Sequence, residues 1–250
     1  MHALVKMQMD AGQHRRLVLS NMKFGITQRF TCNYLPEYEE QLLVSMAPAN
    51  ELNELYSQLM HSGFRRSGEQ LYRPHCPDCR RCNSVRVLTG EFSPSKSQKR
   101  ILAKNKHIKV KMTSDQRDDH YPLYERYISA FHADGTMYPP SYTQYRNFIA
   151  CQWQQPVFLE ARQDDGSLLA VAVTDRVKDG LSALYTYYSP DFEKHSLGKF
   201  MIMQQIYQAD AMGLPFLYLG YQIDECRKMN YKTAFEPYQR LIDNRWVQYP

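Results

Sequence analysis

Residues Asp179 to Leu219 read DGLSALYTYYSPDFEKHSLGKFMIMQQIYQADAMGLPFLYL, and this stretch decides the fold. Asp179-Gly180 is a tight-turn signal, because glycine accepts backbone angles that other residues resist. Leu181 to Tyr188 (LSALYTYY) reads as a strand. Ser189-Pro190 interrupts it, since proline brings no N–H to a ladder. An apolar helix is expected from Leu197 to Met212, opening at Ser196-Leu197-Gly198-Lys199. Gly213-Leu214-Pro215 ends that helix, and Phe216-Leu217-Tyr218-Leu219 follows as another strand.

Upstream, Val157-Phe158-Leu159-Glu160-Ala161 and Leu168 to Val173 (LLAVAV) add two strands. Three antiparallel strands, a helix and a further strand make the central order of the GNAT acyltransferase fold. In that arrangement the helix after the third strand holds the acyl carrier's phosphates, because free N–H groups and the helix dipole favour anions. Ser196-Leu197-Gly198 departs from the usual glycine-rich pyrophosphate loop. That argues against coenzyme A and leaves room for a different acyl donor. The first half predicts a helix over Asn50 to His61, with Leu52, Leu55, Tyr56 and Leu59 at helical spacing and Gly63 as its stop. Val85 to Leu88 reads as a strand, Tyr121 to Phe131 as a helix, and Ser141 to Trp153 as containing one more. The expected class is α+β: a smaller N-terminal α+β domain (residues 1–110) carrying a cysteine-rich loop, then a GNAT-like domain (residues 111–250).

Composition narrows the function classes. A chain of 250 residues with 43% hydrophobic content can bury a real core. Six cysteines are too few for a disulfide scaffold at this length, which implies a reducing compartment. Met1 to Ser20 contains no apolar signal-peptide core, and no segment approaches a membrane span, so a cytoplasmic protein is expected.

Two local features point to anions and metals. Tyr72-Arg73-Pro74-His75-Cys76-Pro77-Asp78-Cys79-Arg80-Arg81-Cys82 spaces three thiols as CxxCxxC, close enough to converge on one soft metal. With Cys32 they would supply the four ligands of a zinc or iron–sulfur site; the alternative is reduced thiols packed under a loop. Phe92 to Ser114 carries no acid but holds Lys96, Lys99, Arg100, Lys104, Lys106, Lys109 and Lys111, within a net charge of +5. Such a one-signed stretch is either a phosphate-binding surface or a solvated connector.

The chain resembles the arginyl/leucyl-tRNA–protein transferases. The resemblance rests on Cys32-Asn33-Tyr34-Leu35-Pro36, on Gly63-Phe64-Arg65-Arg66-Ser67-Gly68 with Tyr72 to Cys76, and on Asp179 to Tyr185. It continues through Ser196-Leu197-Gly198 and Leu219-Gly220-Tyr221-Gln222-Ile223, followed by Cys226 and Lys228-Met229-Asn230-Tyr231-Lys232. The bacterial branch, the aspartate/glutamate leucyltransferases, is the nearer match. The resemblance implies transfer of an amino acid, leucine in that branch, from aminoacyl-tRNA to the N-terminal amine of proteins beginning with Asp or Glu, which marks them for N-degron proteolysis. Two positions depart from the pattern: Leu35 stands where eukaryotic arginyltransferases have a second cysteine, and Phe131 where the bacterial branch usually has Arg.

The chemistry so implied needs orientation and charge stabilisation more than a covalent nucleophile, because an aminoacyl ester is already activated and an α-amine is partly neutral near pH 7. No cofactor is required for it. Arg65, Arg66 and Arg73 are candidates for the acceptor carboxylate, since guanidinium binds carboxylate through two parallel hydrogen bonds; alternatively they anchor the loop or touch phosphate. Tyr185, Tyr221 and Asp179 are the catalytic candidates, against the alternatives of packed tyrosines among nineteen and a turn-forming aspartate. Ser196, Leu197, Gly198, Lys228, Tyr231 and Lys232, with Lys104 and Lys106, are the donor and tRNA candidates. An arginine donor, or a Cys-cluster RNA-binding protein without catalysis, would share some of these features.

Overall fold

The structure, a computed structural model, describes residues 22–250. The expectation for Met1 to Ser20 lies outside them. The described residues open with β1 (Phe24–Ile26), β2 (Phe30–Thr31), β3 (Glu39–Glu40) and β4 (Leu42–Ser45), then α1 (Ala49–His61), β5 (Arg65–Ser67) and β6 (Gln70–Pro74). A four-stranded antiparallel sheet runs β1-β4-β6-β5, and β2 pairs with β3. Leu52, Leu55, Tyr56, Leu59 and Met60 recur at helical spacing, so one face of α1 is apolar and packs with Phe64, Leu71 and Trp153. The helix stops where Gly63 adopts φ +85°. Gly63 N–H then reaches Met60 O and Phe64 N–H reaches Leu59 O, satisfying two terminal carbonyls.

The second sheet has eight strands: β7 (Asn83–Leu88), β8 (Lys109–Thr113), β9 (Val157–Arg162), β10 (Leu168–Val177), β11 (Gly180–Tyr188), β12 (Phe216–Gln222), β13 (Tyr238–Ile242) and β14 (Arg245–Tyr249). Their order is β14-β13-β7-β12-β11-β10-β9-β8, antiparallel throughout except for the parallel pair β11–β12. Four further helices accompany it: α2 (Lys96–Lys104), α3 (His120–Phe131), α4 (Tyr142–Ile149) and α5 (Leu197–Ala211). Strand alternation assigns the two faces. Ala170 and Ala172 of β10 join Leu197, Phe200 and Met201 of α5, while Val171 and Val173 join Tyr124, Ile128 and Tyr145 of α3 and α4. The small alanines let α5 lie close to the sheet.

The strands and helices expected from Val157 to Leu219 all occur, and the basic stretch divides into α2 and β8. α2 opens with reciprocal capping between Ser95 and Gln98. The boundary expected at residue 110 does not coincide with a break in the sheet: β7, from the first half, lies between β12 and β13. The small sheet and the β13–β14 hairpin carried no sequence expectation. That hairpin turns at Asp243 and Asn244, both at positive φ, as residue types with short polar side chains tolerate.

β11 and β12 pair only over Gly180↔Phe216, Leu181↔Leu217 and Ser182↔Tyr218. Beyond Ser182 and Tyr218 the ladder ends and a fork opens. The small sheet is fastened beside this fork by one ion pair. Arg66 Nε and Nη2 donate to Asp175 Oδ2 and Oδ1, each at 2.7 Å, and Tyr56 O–H donates to Asp175 Oδ2 at 2.7 Å. Arg66 Nη1 also donates to the Gly68 and Ile149 carbonyls. Both charged side chains are wholly buried. Arg66 is therefore withdrawn from the acceptor-binding candidates: its guanidinium is spent on an internal carboxylate.

Removing one partner of such a pair strands the other in a medium that solvates it poorly. Asp175→Ala should cost about 3–5 kcal/mol of unfolding free energy, read from denaturant midpoints. The double variant Arg66→Met/Asp175→Leu should recover most of that loss.

Candidate functional site

The fork opens into a cavity of about 790 Å³. Its walls come from β11 (Ala183 to Thr186, with Tyr188), β12 (Leu219 to Tyr221), the start of α5 (Ser196, Gly198, Lys199) and the segment Lys228–Lys232. Arg65 and Tyr72 close it from the small sheet, Tyr34 from the loop between β2 and β3, and Tyr127, Met137 and Phe148 from the α3–α4 side.

Arg65 sits at the crotch of the fork. Because side chains alternate along a strand, Arg65 and Arg66 leave β5 in opposite directions. Arg65 Nη2 donates to Ala183 O at 2.7 Å, the first carbonyl of β11 past the paired register. Gly220, at φ +79°, is the matching position on β12: a Cβ there would stand 3.4 Å from Arg65 Nε. Glycine thus supplies both the backbone angle and the room. Arg65 is only 7% exposed, its Nη1 has no hydrogen-bond partner, and among the described residues no carboxylate pairs with it. Lys232 lies at the same end, 5% exposed, donating to Tyr221 O at 2.6 Å. Burial, and then the charge of Arg65, push the Lys232 ammonium down to about 8. Two buried cations facing a cavity without an acidic partner form an anion-binding end.

The opposite wall is apolar and aromatic. Phe148 meets Tyr185 edge-to-face at 5.3 Å, and Tyr127 meets Tyr188 at 4.9 Å. Tyr185 O–H reaches only the Met137 sulfur, at 3.7 Å, and burial raises its phenol above the usual range. The start of α5 borders the same cavity. Ser196 caps it in a left-handed conformation (φ 52°) without a side-chain hydrogen bond. Gly198 lies against Tyr188, where an added Cβ would approach the ring to 3.2 Å.

Several candidates from the sequence fall elsewhere. Tyr221 borders the cavity, but its hydroxyl is held at the Gly63 and Tyr72 carbonyls, 2.9 and 3.2 Å away, so it is not free to polarise an ester. Asp179 lies at the opposite end of β11, accepting from Tyr218 O–H at 3.0 Å beside His61, and is corrected from a catalytic to a structural position. Arg73 lies outside the cavity, donating to Ser62 O and stacking over Phe64. Leu197 is buried in the core beneath the sheet. Lys228 stands at the rim, 3.4 Å from Asp134, and Tyr231 lines the wall. Lys104 and Lys106 are exposed outside the cavity; Lys104 Nζ donates to Lys194 O, which ties α2 to the loop leading into α5.

Cys79, Cys82 and Cys226 pack around buried Cys32 and Ile223. Burial, then neighbouring Cys76, Cys79 and Cys32, push the Cys82 thiol up to about 12. Among the described residues no group of three or more His, Cys, Asp or Glu side chains is arranged to hold a metal ion. The loop arginines are also occupied: Arg80 donates to the Cys76 and Cys79 carbonyls, and Arg81 pairs with Glu225. Residues the sequence reading missed are Tyr127, Met137, Phe148, Tyr188 and Lys199. Only Gly220, a glycine inside a strand pattern, offered a signal of close backbone approach.

The N- and C-terminal parts of the arginine-tRNA-protein transferase family match residues 30–100 and 119–242. The chain belongs to that family. Among its relatives, the aspartate/glutamate leucyltransferase of Pseudoalteromonas atlantica is 47% identical over 225 residues, covering 90% of this chain and 96% of that protein. That of Shewanella amazonensis is 47% identical over 227 residues, covering 91% and 95%. Among solved structures, FemX superposes at a TM-score of 0.47 with 10% identity, covering 87% of this chain and 84% of that one.

Proposed function

We propose that this protein transfers leucine from Leu-tRNA to the N-terminal amine of proteins beginning with Asp or Glu, marking them for N-degron proteolysis in the cytoplasm. The relatives' names support the reaction, and the buried, unpaired guanidinium of Arg65 is the observation that carries the acceptor. It needs an anion, and an N-terminal Asp or Glu brings a carboxylate into reach of the same cavity. Guanidinium and carboxylate pair through parallel hydrogen bonds, with Lys232 beside them.

The forked strands with a helix opening beside them support a GNAT-like reading of the central sheet. In that reading the ester carbonyl lies between the fork and the start of α5. The neutral amine nitrogen attacks the carbonyl carbon, the C–N bond forms, and the C–O bond to the tRNA ribose breaks. One amine proton is lost and the ribose oxygen gains one, so no net proton comes from the protein. The free N–H groups at the start of α5 are suited to the transient oxyanion. Orientation and charge stabilisation supply the rate, as an activated ester allows. The lysines of α2 and the following loop extend from this end of α5 along the surface and suit tRNA phosphates. None of these steps runs through the thiols.

Arg65→Ala should raise KM for Asp-peptides by the equivalent of about 1.5–3 kcal/mol, the range for a hydrogen bond to a charged group, with tRNA affinity kept. Arg73→Ala should change neither; an unaltered acceptor KM in Arg65→Ala would remove the assignment. The lowered Lys232 fixes the pH dependence. The cation is present below about 8 and lost above it, so acceptor KM should rise from pH 7 to pH 9, and Lys232→Met should abolish that rise. The comparison with Lys232→Met isolates this effect, because titration of the free acceptor amine over the same window enters kcat/KM of both proteins alike. Reversing Lys104 and Lys106 to Glu should weaken tRNA binding and flatten its salt dependence by about 0.7–0.9 per lost phosphate contact, without moving the thermal midpoint. An unchanged slope would make this stretch a solvated face.

A further inference from the structure

We propose that the apolar end of the cavity is the pocket for the donor's amino-acid side chain, and that Met137 and Phe148, against Tyr185, select leucine there. This rests on the leucyl-transfer reading and assigns that reaction its specificity residues. The pocket is bounded by Tyr127, Met137, Phe148, Leu184, Tyr185 and Tyr188.

Three observations converge. The first is shape. The β10–β11 register shifts between Val173 and Thr174: Val173 faces Tyr185 and Thr174 faces Ala183, leaving Leu184 unopposed. Such a bulge breaks strict alternation, and consecutive residues Leu184 and Tyr185 both border the cavity. The second is polarity. Phe148 and Tyr185 are in edge-to-face contact, and polar atoms of the wall meet partners within it: the Tyr185 hydroxyl points at the Met137 thioether, and the Tyr127 hydroxyl lies 3.2 Å from His132 Nε2. A branched aliphatic side chain fills such a site without leaving a donor or acceptor unmet.

The third is charge. The lining carries Arg65, Lys199 and Lys232 as cations, besides Arg66 and Lys228, which pair with Asp175 and Asp134; Glu193, beside Ser196 at the start of α5, is its one carboxylate. An arginine side chain at the Met137–Phe148 wall would be a guanidinium in a lining whose cations outnumber its one carboxylate, a field of its own sign. The same field favours the acceptor's carboxylate at the other end. The cavity thus sorts its substrates by polarity, and its lining includes the start of α5, where the proposed reaction places the ester carbonyl.

The test measures kcat/KM with an Asp-initiated peptide and one tRNA body charged with leucine, phenylalanine or arginine, for the wild type, Phe148→Ala and Met137→Glu. Phe148→Ala removes a ring from the wall and should shift the leucine-to-phenylalanine ratio about 10–100-fold toward phenylalanine, the scale of hydrophobic-pocket discrimination. Met137→Glu places a carboxylate in the pocket and should shift the leucine-to-arginine ratio toward arginine by about tenfold or more. Each ratio is taken within one preparation, so a reduced folded fraction cancels. Donor ratios within twofold of wild type in both variants, or a change confined to acceptor KM, would overturn the pocket assignment. A wild-type protein that transfers no leucine would instead overturn the reaction on which it rests.

Discussion

The hydrogen-bonded pair between Arg66 and Asp175 is the constraint on which the site depends. It joins β5 of the small sheet to β10 of the large one, and Tyr56 brings α1 to the same carboxylate. Arg66 also gathers the Gly68 and Ile149 carbonyls, so the end of α4 is held by the same guanidinium. A buried charge pair of this kind is a weak source of net stability, because desolvation offsets most of the attraction. What it supplies is register. With Arg66 fixed, strand periodicity aims Arg65 in the opposite direction, into the fork between β11 and β12.

That fork is where the fold leaves backbone unpaired. Past Ser182 and Tyr218 the two parallel strands diverge, and Arg65 bonds the first freed carbonyl at Ala183. Gly220 keeps the facing strand clear of the guanidinium. The arrangement holds Arg65 rigidly while leaving Nη1 without a partner. It also sets the neighbouring lysine: Lys232 cannot sit beside a buried guanidinium in a poorly solvated wall without losing part of its affinity for a proton. An anion entering between them relieves both groups, so acceptor binding and proton uptake at Lys232 are thermodynamically linked.

The local elements were legible because they are governed by local rules. Helix periodicity located α1, α3 and α5, and glycine and proline punctuation located their ends. The break at Ser189-Pro190 and the helix at Leu197 placed the start of α5 correctly. The roles of single residues were less legible, because they depend on partners far away in the chain. Nothing near Arg66 in sequence reveals Asp175, 109 positions away, so two adjacent arginines looked equivalent. Tyr221 borders the cavity as its motif suggested, yet its hydroxyl is taken by carbonyls from Gly63 and Tyr72. Asp179 was ambiguous between turn and catalysis, and its contacts with Tyr218 and His61 hold it at the turn. Of the aromatic wall only Tyr185 was named from the sequence; Tyr127 of α3 and Phe148 of α4 read as ordinary core, because their meeting with β11 depends on the fold.

Arg65 and Arg66 also separate what can be exchanged from what cannot. Arg66 makes four contacts with a closed set of internal acceptors, and its work is complete without any ligand. An apolar pair of similar volume could replace it and Asp175 while preserving the junction. Arg65 has one internal acceptor and a buried nitrogen without a partner, so its charge is an unrelieved cost in the free protein. Lysine could carry the charge but not the planar fork that bonds Ala183 with one nitrogen and keeps further donors for a carboxylate. A structure tolerates such a cost where a ligand offsets it. The instability of Arg65 in the empty cavity and its affinity for a carboxylate therefore have one physical origin.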